Sequence, residues 1–249
     1  MPLFYKGSEA MQLIIIRHGD PNYALDTLTI KGRREAKLLA ERISKMDVAA
    51  FYCSPLGRAK KTASYTLNKM KREAEICDFL QEFRGTVDHP DLGTTHCWDR
   101  LPSYWTAIDD YYCYEKWQGV DLMKSQNVPE EYKKVCAGID ALLEKHGYRH
   151  NGRLFDVVNE NHDTVVLFCH FGVEAVILSH LFSVSPMIFW HNFVALPTSV
   201  TVLQSQEREK GKAIFVCSSF GDLSHLYKGG EEPSFSARWC ECFSDKTRH

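Results

Sequence analysis

The feature that most constrains this chain is an apolar run that ends abruptly in charge, LIIIRHG at residues 13–19. Four consecutive Leu and Ile residues predict a strand covered on both faces, which is typical of parallel sheets with helices on each side. Arg17 and His18 then lie at the C-terminal end of that strand, at the mouth of the core. Polar groups in such a place either satisfy a local hydrogen bond or take part in chemistry.

A second run has the same form. Residues 163–172, DTVVLFCHFG, are apolar until they reach His170, and Gly172 then leads into a helical pattern. In open parallel sheets, sites form just beyond the carboxyl ends of the strands. If the two strands are neighbours, His18 and His170 therefore lie close together at that edge of the sheet.

The segments between these runs alternate in character. β-prone and helical segments follow one another in the order 13–16, 28–46, 47–55, 56–71 and 74–82. This β-α-β-α-β order predicts an α/β fold, a three-layer sandwich with a mostly parallel central sheet flanked by helices.

Residues 86–128 interrupt this order, because they are rich in aromatic residues and lack a clean period. We expect them to form a cap of short helices and loops, inserted into a single domain that spans residues 1–249. After the cap, a helix is predicted over 130–147. The β-prone segments 199–206 and 212–219 are expected to complete the sheet as a hairpin near one edge.

Composition limits the class of protein. The chain is 44% hydrophobic and 25% charged, as in ordinary globular enzymes, and its net charge of −2 gives no reason to expect binding to nucleic acid or to an anionic membrane. No apolar run approaches the roughly 18 residues of a membrane span. The N-terminus lacks a secretory signal pattern. The nine scattered cysteines are typical of reduced thiols rather than of a disulfide framework. A cytoplasmic protein without nucleic-acid or membrane partners is expected, and no feature indicates an oligomeric state.

Metal sites have recognisable spacings of Cys and His, and none is evident here. Cys240 and Cys242 stand one residue apart with no second pair, so no metal is expected. Five histidines show no shared ligand pattern and are expected at the surface: His89, His96, His146, His150 and His162.

The residues at the strand ends favour an anion site. Two guanidiniums, Arg17 and Arg58, would join His18 and His170, and the fork of an arginine suits phosphate oxygens. Backbone amides at a helix start near Gly172 would add further donors. A neutral histidine is a competent nucleophile, and a covalent intermediate divides one difficult displacement into two easier ones.

A leaving alkoxide also needs a proton, so a carboxylic acid is required near the pocket. Glu82, at the end of the segment AEICDFLQE, is the best-placed candidate. Asp20 is a rival because it lies near the nucleophile, and Asp88 and Asp91 are more remote alternatives.

The same residues resemble the histidine phosphatase superfamily, which includes the cofactor-dependent phosphoglycerate mutases. RHG at 17–19 after an apolar strand is similar to the family signature. Four further stretches match in the right order over roughly residues 12–182: DTLTIKGRREAKLLAERI, CSPLGRAKKTA, LQEFRG and VVLFCHFGVEAVI. The ordered set is far more specific than any one motif.

The resemblance implies a phosphoglycerate mutase-like fold and a role for each matched residue. His18 would become phosphohistidine, while Arg17, Arg58 and His170 would hold the phosphoryl oxygens. Glu82 would protonate the leaving oxygen and then deprotonate the attacking water. The reaction implied is metal-independent hydrolysis of phosphomonoesters, with no cofactor.

Two departures from the mutases favour a phosphatase, and a deep aromatic cap favours a small-molecule substrate. The loop Asp20-Pro21-Asn22 after the RHG motif is short, and the cap offers few basic residues, namely Arg84, Arg100, Lys116 and Lys124. A phosphomutase, a catalytically silent phosphate-binding relative and a phosphatase acting on phosphohistidine or phosphotyrosine in proteins remain the alternatives.

Contacts to the rest of the substrate are expected from the loop and the cap. The candidates are Asn22, Phe171, Trp98 and Arg100, and Phe171 stands where many family members have a small residue. The cap aromatics could stack on a ring-bearing substrate or form a small core, and the second interpretation is favoured for Trp98, Tyr104 and Trp105.

Overall fold

A mixed sheet of eight strands runs through the protein, whose computed structural model describes residues 10–90, 93–236 and 243–244. The strands in the described part are β1 (Gln12–Arg17), β2 (Pro21–Asn22), β3 (Thr27–Leu28), β4 (Ala50–Cys53), β5 (Glu75–Ile76), β6 (Thr86–His89), β7 (Gly93–His96), β8 (Tyr148–Asn151), β9 (Leu154–Val157), β10 (Thr164–Cys169), β11 (Val200–Glu209) and β12 (Lys212–Asp222). The α-helices are α1 (Ile30–Ile43), α2 (Gly57–Met70), α3 (Pro102–Trp105), α4 (Asp121–Lys124), α5 (Val128–Lys145), α6 (Phe171–Phe182), α7 (Pro186–Asn192) and α8 (Ser224–Lys228).

The order of strands in the sheet is β5-β4-β10-β1-β11-β12-β9-β8. The first four are parallel, and every pairing from β1 to β8 is antiparallel. The predicted α/β class is confirmed, but the sheet is mixed rather than mostly parallel, with a parallel half and an antiparallel half. The hairpin β11–β12, expected near one edge, lies inside the sheet: β11 pairs with β1 along five residues, and the hairpin β8–β9 forms that edge.

The side chains of β1 alternate between two cores, one on each face of the sheet, and this explains why its apolar run is continuous. Ile14 and Ile16 point into a core shared with α1 and α2, whereas Leu13 and Ile15 point into a larger core shared with α5 and α6. All four side chains are fully buried. Helices therefore cover both faces of the sheet, as a strand apolar on both faces requires.

The segment predicted as the cap lies between Thr86 and the start of α5 at Val128. It contains the hairpin β6–β7 as well as short helices, so the expectation of helices and loops alone was incomplete. Trp105 is buried in the larger core, as the favoured interpretation holds, while Trp98 and Tyr104 are only partly buried against that core.

The described residues bear on two features expected from the sequence, the lack of a membrane-spanning helix and the presence of free thiols. No helix among them is both long enough and apolar enough to cross a bilayer. The seven cysteines in that part are free thiols: Cys53, Cys77, Cys97, Cys113, Cys136, Cys169 and Cys217. Cys240 and Cys242 lie outside the described residues.

Candidate active site

The two strand-end histidines meet at the carboxyl edge of the parallel half. β1 and β10 are neighbours with Arg17 opposite Cys169, and the His18 amide donates to the Cys169 carbonyl at 3.0 Å. The centroids of the His18 and His170 rings are 4.9 Å apart. Both side chains are almost completely buried, at 1% and 0% exposure, so this edge contains a polar pocket inside the fold.

The His18 ring is held in one tautomer by its own backbone. Its Nδ1 lies 2.8 Å from the Gly19 carbonyl, which can only accept, so Nδ1 carries the proton and Nε2 has a free lone pair. Burial, with the nearby charge of Arg17, keeps the pKa of His18 well below its usual value. The ring is therefore neutral, which is the state that a nucleophilic imidazole requires.

Arg58 reaches His18 from the start of α2. Its Nε donates to His18 Nε2 at 3.4 Å, and one terminal nitrogen donates to Asp26 Oδ1 at 2.8 Å. Asp26 also accepts the Gly57 amide at 2.6 Å, so it caps α2, whose own N-cap residue Leu56 offers no side-chain acceptor. Asp26 was missed by the sequence reasoning, because an uncapped helix start does not indicate which distant residue serves it.

Arg17 lies beneath the pocket with 3% of its surface exposed. One terminal nitrogen donates to the Ala195 carbonyl, and its Nε has no partner among the described residues. Burial lowers the pKa of Arg17, and the charges of Glu82 and Glu174 oppose that effect. Both carboxyls therefore lie close enough to this guanidinium to act on it.

Glu174 is an acid that the sequence reasoning missed. It is fully buried in α6, where Oε1 accepts from the Thr201 hydroxyl at 2.6 Å and Oε2 has no partner among the described residues. Burial raises the pKa of Glu174 to about 7, against the pull of Thr201 and Arg17. The only sequence signal was an acid inside an otherwise apolar helix.

Glu82 approaches the pocket after the 3₁₀ turn Asp78–Leu80. Its Oε1 accepts from two backbone amides, those of Phe83 at 3.0 Å and Gly172 at 2.9 Å. Burial raises the pKa of Glu82, and the charge of Arg17 only partly opposes this. A carboxyl with a raised pKa that is fixed by its backbone partners is suited to donate a proton.

His170 is held by a serine from the next strand. Its Nε2 lies 2.8 Å from Ser54 Oγ, which also accepts the Leu56 amide at 3.2 Å. The Ser54 hydroxyl can therefore donate a hydrogen bond to Nε2. The neutral ring then carries its own proton on Nδ1. That Nδ1 is buried and has no partner among the described residues, and burial keeps the pKa of His170 well below its usual value.

Five predicted catalytic side chains thus converge: Arg17, His18, Arg58, Glu82 and His170. The model of the histidine phosphatase superfamily, branch 1, matches residues 13–215, most of the chain. The chain belongs to this superfamily. The resemblance stated from its motifs is therefore confirmed.

Several known proteins that are similar to this superfamily member are named as phosphatases. A Schizosaccharomyces pombe protein named a probable phosphatase is 25% identical over an alignment of 250 positions, gaps included, that covers 87% of this chain and 95% of that protein. A phosphoserine phosphatase from Entamoeba histolytica, solved with phosphoserine, superposes with a TM-score of 0.58 at 21% identity over 87% of this chain and 99% of its own. A mycobacterial glucosyl-3-phosphoglycerate phosphatase, solved with inorganic phosphate, gives a TM-score of 0.58 at 17% identity over 86% and 98%. At these identities the two structures show a shared fold.

Gly172 has a different partner from the one predicted. Its amide was expected to bind phosphate, but it donates to Glu82 and so holds the acid. A Cβ at this position would lie 2.1 Å from the Trp98 ring, and the Trp190 indole donates to the Gly172 carbonyl at 3.1 Å. Gly172 is therefore the point where α6, the cap and the acid meet.

The predicted substrate contacts have structural partners in this histidine phosphatase. Asn22 Oδ1 accepts the Leu25 amide at 3.2 Å and caps a 3₁₀ turn. Arg100 is buried and donates to the His96 carbonyl at 2.6 Å, so it ties the cap hairpin to the loop after it. Phe171 is 8% exposed at the start of α6, beside the pocket. A role for these residues in substrate binding stays a prediction.

The rivals of Glu82 are engaged elsewhere. Asp20 accepts hydroxyls of Thr29 and of two residues in the C-terminal segment, Ser234 and Ser236. Burial acts to raise the pKa of Asp20, but these hydrogen bonds outweigh it and lower the pKa overall. Asp88 is exposed and accepts from Thr94 and Gln126 in the cap, and Asp91 lies outside the described residues.

One group of side chains in the described part of the chain has the residue types and spacing that could hold a metal ion. Asp140, His150 and His180 bring one ligand atom each to within 4.8 Å of the others. His150 therefore shares a possible ligand group with two residues that the sequence analysis did not single out, Asp140 and His180. The three residues come from α5, β8 and the last turn of α6, whereas His170 precedes the first turn of α6.

Proposed function

We propose that this histidine phosphatase hydrolyses small-molecule phosphomonoesters through a phosphohistidine formed on His18. The observation that carries the proposal is the state of His18: its Nδ1–H donates to the Gly19 carbonyl, which leaves Nε2 unprotonated, as a nucleophile requires. Arg58 already contacts that Nε2, and Arg17 lies near enough to affect the ring's pKa.

In the first half-reaction, His18 Nε2 attacks phosphorus and the phosphorus–oxygen bond to the leaving group breaks. The protonated Glu82 gives its proton to the leaving oxygen, which departs as an alcohol. The guanidiniums of Arg17 and Arg58, with the Nδ1 proton of His170, stabilise the charge on the remaining phosphoryl oxygens.

In the second half-reaction, the Glu82 carboxylate takes a proton from water as that water attacks phosphorus. The phosphorus–nitrogen bond breaks, inorganic phosphate leaves and His18 regains its lone pair. Glu82 is then protonated again, ready for the next substrate. The backbone amides of Phe83 and Gly172 hold the carboxyl in both states.

The names of similar proteins favour a small-molecule substrate, and the cap favours hydrolysis over a mutase reaction. The structures solved with phosphoserine and with inorganic phosphate are both phosphatases of small phosphorylated compounds by name. Within the cap, Lys116 and Lys124 pair with Asp110 and Asp121, and Arg100 is bound to the cap itself. Such paired cations favour hydrolysis over a mutase that must hold a bisphosphate.

The test is hydrolysis of p-nitrophenyl phosphate in EDTA by the native protein, His18→Ala and the matched control His162→Ala, whose side chain is exposed. We expect activity to survive chelation, to fall by several orders of magnitude in His18→Ala and to be unchanged in the control. Native protein that only moves phosphate between hydroxyls would indicate the mutase. An inactive native protein that still binds phosphate would indicate the silent relative. Equal activity in all three would overturn the role of His18.

A further inference from the structure

Two histidines and an aspartate form a cluster at the end of α6 that lies away from the catalytic groups. Asp140 Oδ1 lies 2.8 Å from His180 Nε2, and Asp140 Oδ2 lies 3.2 Å from His150 Nδ1. The two imidazole rings approach to 4.5 Å between centroids. One carboxylate thus faces two imidazole nitrogens, each directed at a different oxygen.

The surroundings of His180 resemble those of a metal ligand. Its second nitrogen, Nδ1, lies 3.5 Å from the Tyr114 hydroxyl, and only 8% of its side chain is exposed. Histidines that bind metals nearly always donate the other ring N–H to an oxygen acceptor, which fixes the ring and the tautomer, and the Tyr114 hydroxyl is in a position to accept it. The side chains of Asp140 and His150 are 30% and 21% exposed, so solvent can reach the open side of the cluster.

The helix also favours a cation here. His180 lies in the last turn of α6, where the unpaired carbonyls give the helix its negative end. Ten residues separate His180 from His170, which corresponds to about 15 Å along a helix. The cluster is therefore independent of the phosphate pocket.

We propose that Asp140, His150 and His180 form a Zn²⁺ site whose remaining coordination positions are open to water. Two imidazoles and one carboxylate suit zinc, whereas magnesium and calcium prefer oxygen ligands alone. Tetrahedral zinc at its usual bond lengths separates neighbouring ligand atoms by about 3.3 Å. The three atoms already lie within 4.8 Å of one another, so rotations of the side chains bring them into range.

Such a site would join parts of the chain that are distant in sequence. Asp140 belongs to α5, His150 to the edge strand β8 and His180 to α6, and Tyr114 extends the set into the cap. A bound ion therefore clamps the sheet edge and the cap to the two helices. It takes no part in phosphate chemistry, so the site stands whether or not the proposed function does.

The test is titration of the native full-length chain with Zn²⁺ after stripping with EDTA, followed by calorimetry, with Co²⁺ spectra to identify the ligands. The variants are His150→Gln and His180→Gln. His146→Gln is the matched control, because its ring bonds to the Tyr52 hydroxyl and faces Asp163 at 3.7 Å without a second imidazole. Tyr114→Phe keeps all three ligands and removes only the partner of His180.

We expect one equivalent of Zn²⁺ in the native chain and in His146→Gln, with the thermal midpoint raised by the ion. Binding should weaken at least about 100-fold in His150→Gln and His180→Gln, and about 10–100-fold in Tyr114→Phe. The Co²⁺ spectrum should lack thiolate charge transfer. A native chain without a stoichiometric site, a spectrum dominated by thiolate, or equal binding by all variants would overturn the proposal. If a ligand variant fails to fold, Tyr114→Phe is the test: zinc binding as tight as in the native chain would then overturn the proposal.

Discussion

At the scale of single residues, three of the five side chains that converge in the pocket are held by backbone atoms. The Gly19 carbonyl holds His18, the Ala195 carbonyl holds Arg17, and the amides of Phe83 and Gly172 hold Glu82. Backbone partners do not change charge as the reaction proceeds. The pocket can therefore alter the charge on its side chains while their positions stay fixed.

Replacement of Glu82 tests its role as the acid through the leaving group. Glu82→Gln cannot donate a proton, so kcat/KM for an alkyl phosphate such as phosphoserine, which reports the first half-reaction, should fall about 10²–10⁴-fold. p-Nitrophenolate leaves without protonation, so kcat/KM for its ester should fall far less, whereas kcat can fall on both substrates because Glu82 is also the base of the second half-reaction. The two substrates are compared by steady-state kinetics, with Glu130→Gln, at an exposed position, as the control. An equal loss of kcat/KM on both substrates would contradict the acid role.

At the scale of elements, the pocket depends on how helix starts are capped. Asp26 caps α2 and anchors Arg58, so Asp26→Ala should affect both. We expect the free energy of unfolding to fall by about 0.5–2 kcal/mol, the range for loss of a helix cap, and the affinity for inorganic phosphate to weaken. Urea unfolding and phosphate titration measure the two effects, and the exposed Asp47→Ala is the control. Unchanged phosphate affinity would argue against the anchoring of Arg58.

Gly172 tests the contact between α6 and the cap. In Gly172→Ala the new Cβ would lie 2.1 Å from the Trp98 ring, and any shift also moves the amide that holds Glu82. We expect a loss of about 1–3 kcal/mol in stability, as for overpacked sites, together with a lower kcat. Thermal unfolding and kinetics are compared with Gly119→Ala, where a Cβ meets nothing within 4 Å. If removal of the ring in Trp98→Ala does not relieve the Gly172→Ala defect, the overlap is not its cause.

At the scale of the whole molecule, two cores stabilise one sheet from opposite faces, and the cap contributes Trp105, Tyr111 and Trp117 to the larger core. That the full chain, residues 1–249, folds as a single domain stays a prediction. The larger core also encloses an acid that favours its neutral form, because burial raises the pKa of Glu174 to about 7.

This acid makes stability depend on pH. The folded state binds the Glu174 proton more tightly than the unfolded chain, whose carboxyl keeps a value near 4.5. Stability is therefore lost as pH rises from about 4.5 to 7, by up to about 3 kcal/mol for this group. In Glu174→Gln the amide oxygen can still accept from Thr201 and does not titrate. The variant should gain stability relative to the native chain across this window.

Urea unfolding at a series of pH values measures that difference. Other titrating groups are shared by the two proteins and largely cancel in the comparison. Glu160→Gln, at an exposed position, should show no pH-dependent difference from the native chain. A constant offset between Glu174→Gln and the native chain from pH 4.5 to 7.5 would contradict the raised pKa.

The sequence by itself determined the α/β class and the meeting of the two strand-end histidines. These follow from local patterns, because a run apolar on both faces must be covered and the ends of parallel strands share one edge. The family motifs identified Arg58 and Glu82 in the same way, since each lies in a short ordered stretch. The antiparallel half of the sheet was less predictable, because a strand pattern does not specify its neighbour.

The tertiary structure alone decided which distant groups became partners. Asp26 lies 32 residues from Arg58, Gly172 lies 90 from Glu82, and Asp140 lies 40 from His180. No period or motif relates such pairs, because packing brings them together only after the elements have formed. Packing also raised the pKa values of Glu82 and Glu174, because it removed water from their carboxyls. Residue type alone does not predict such a shift.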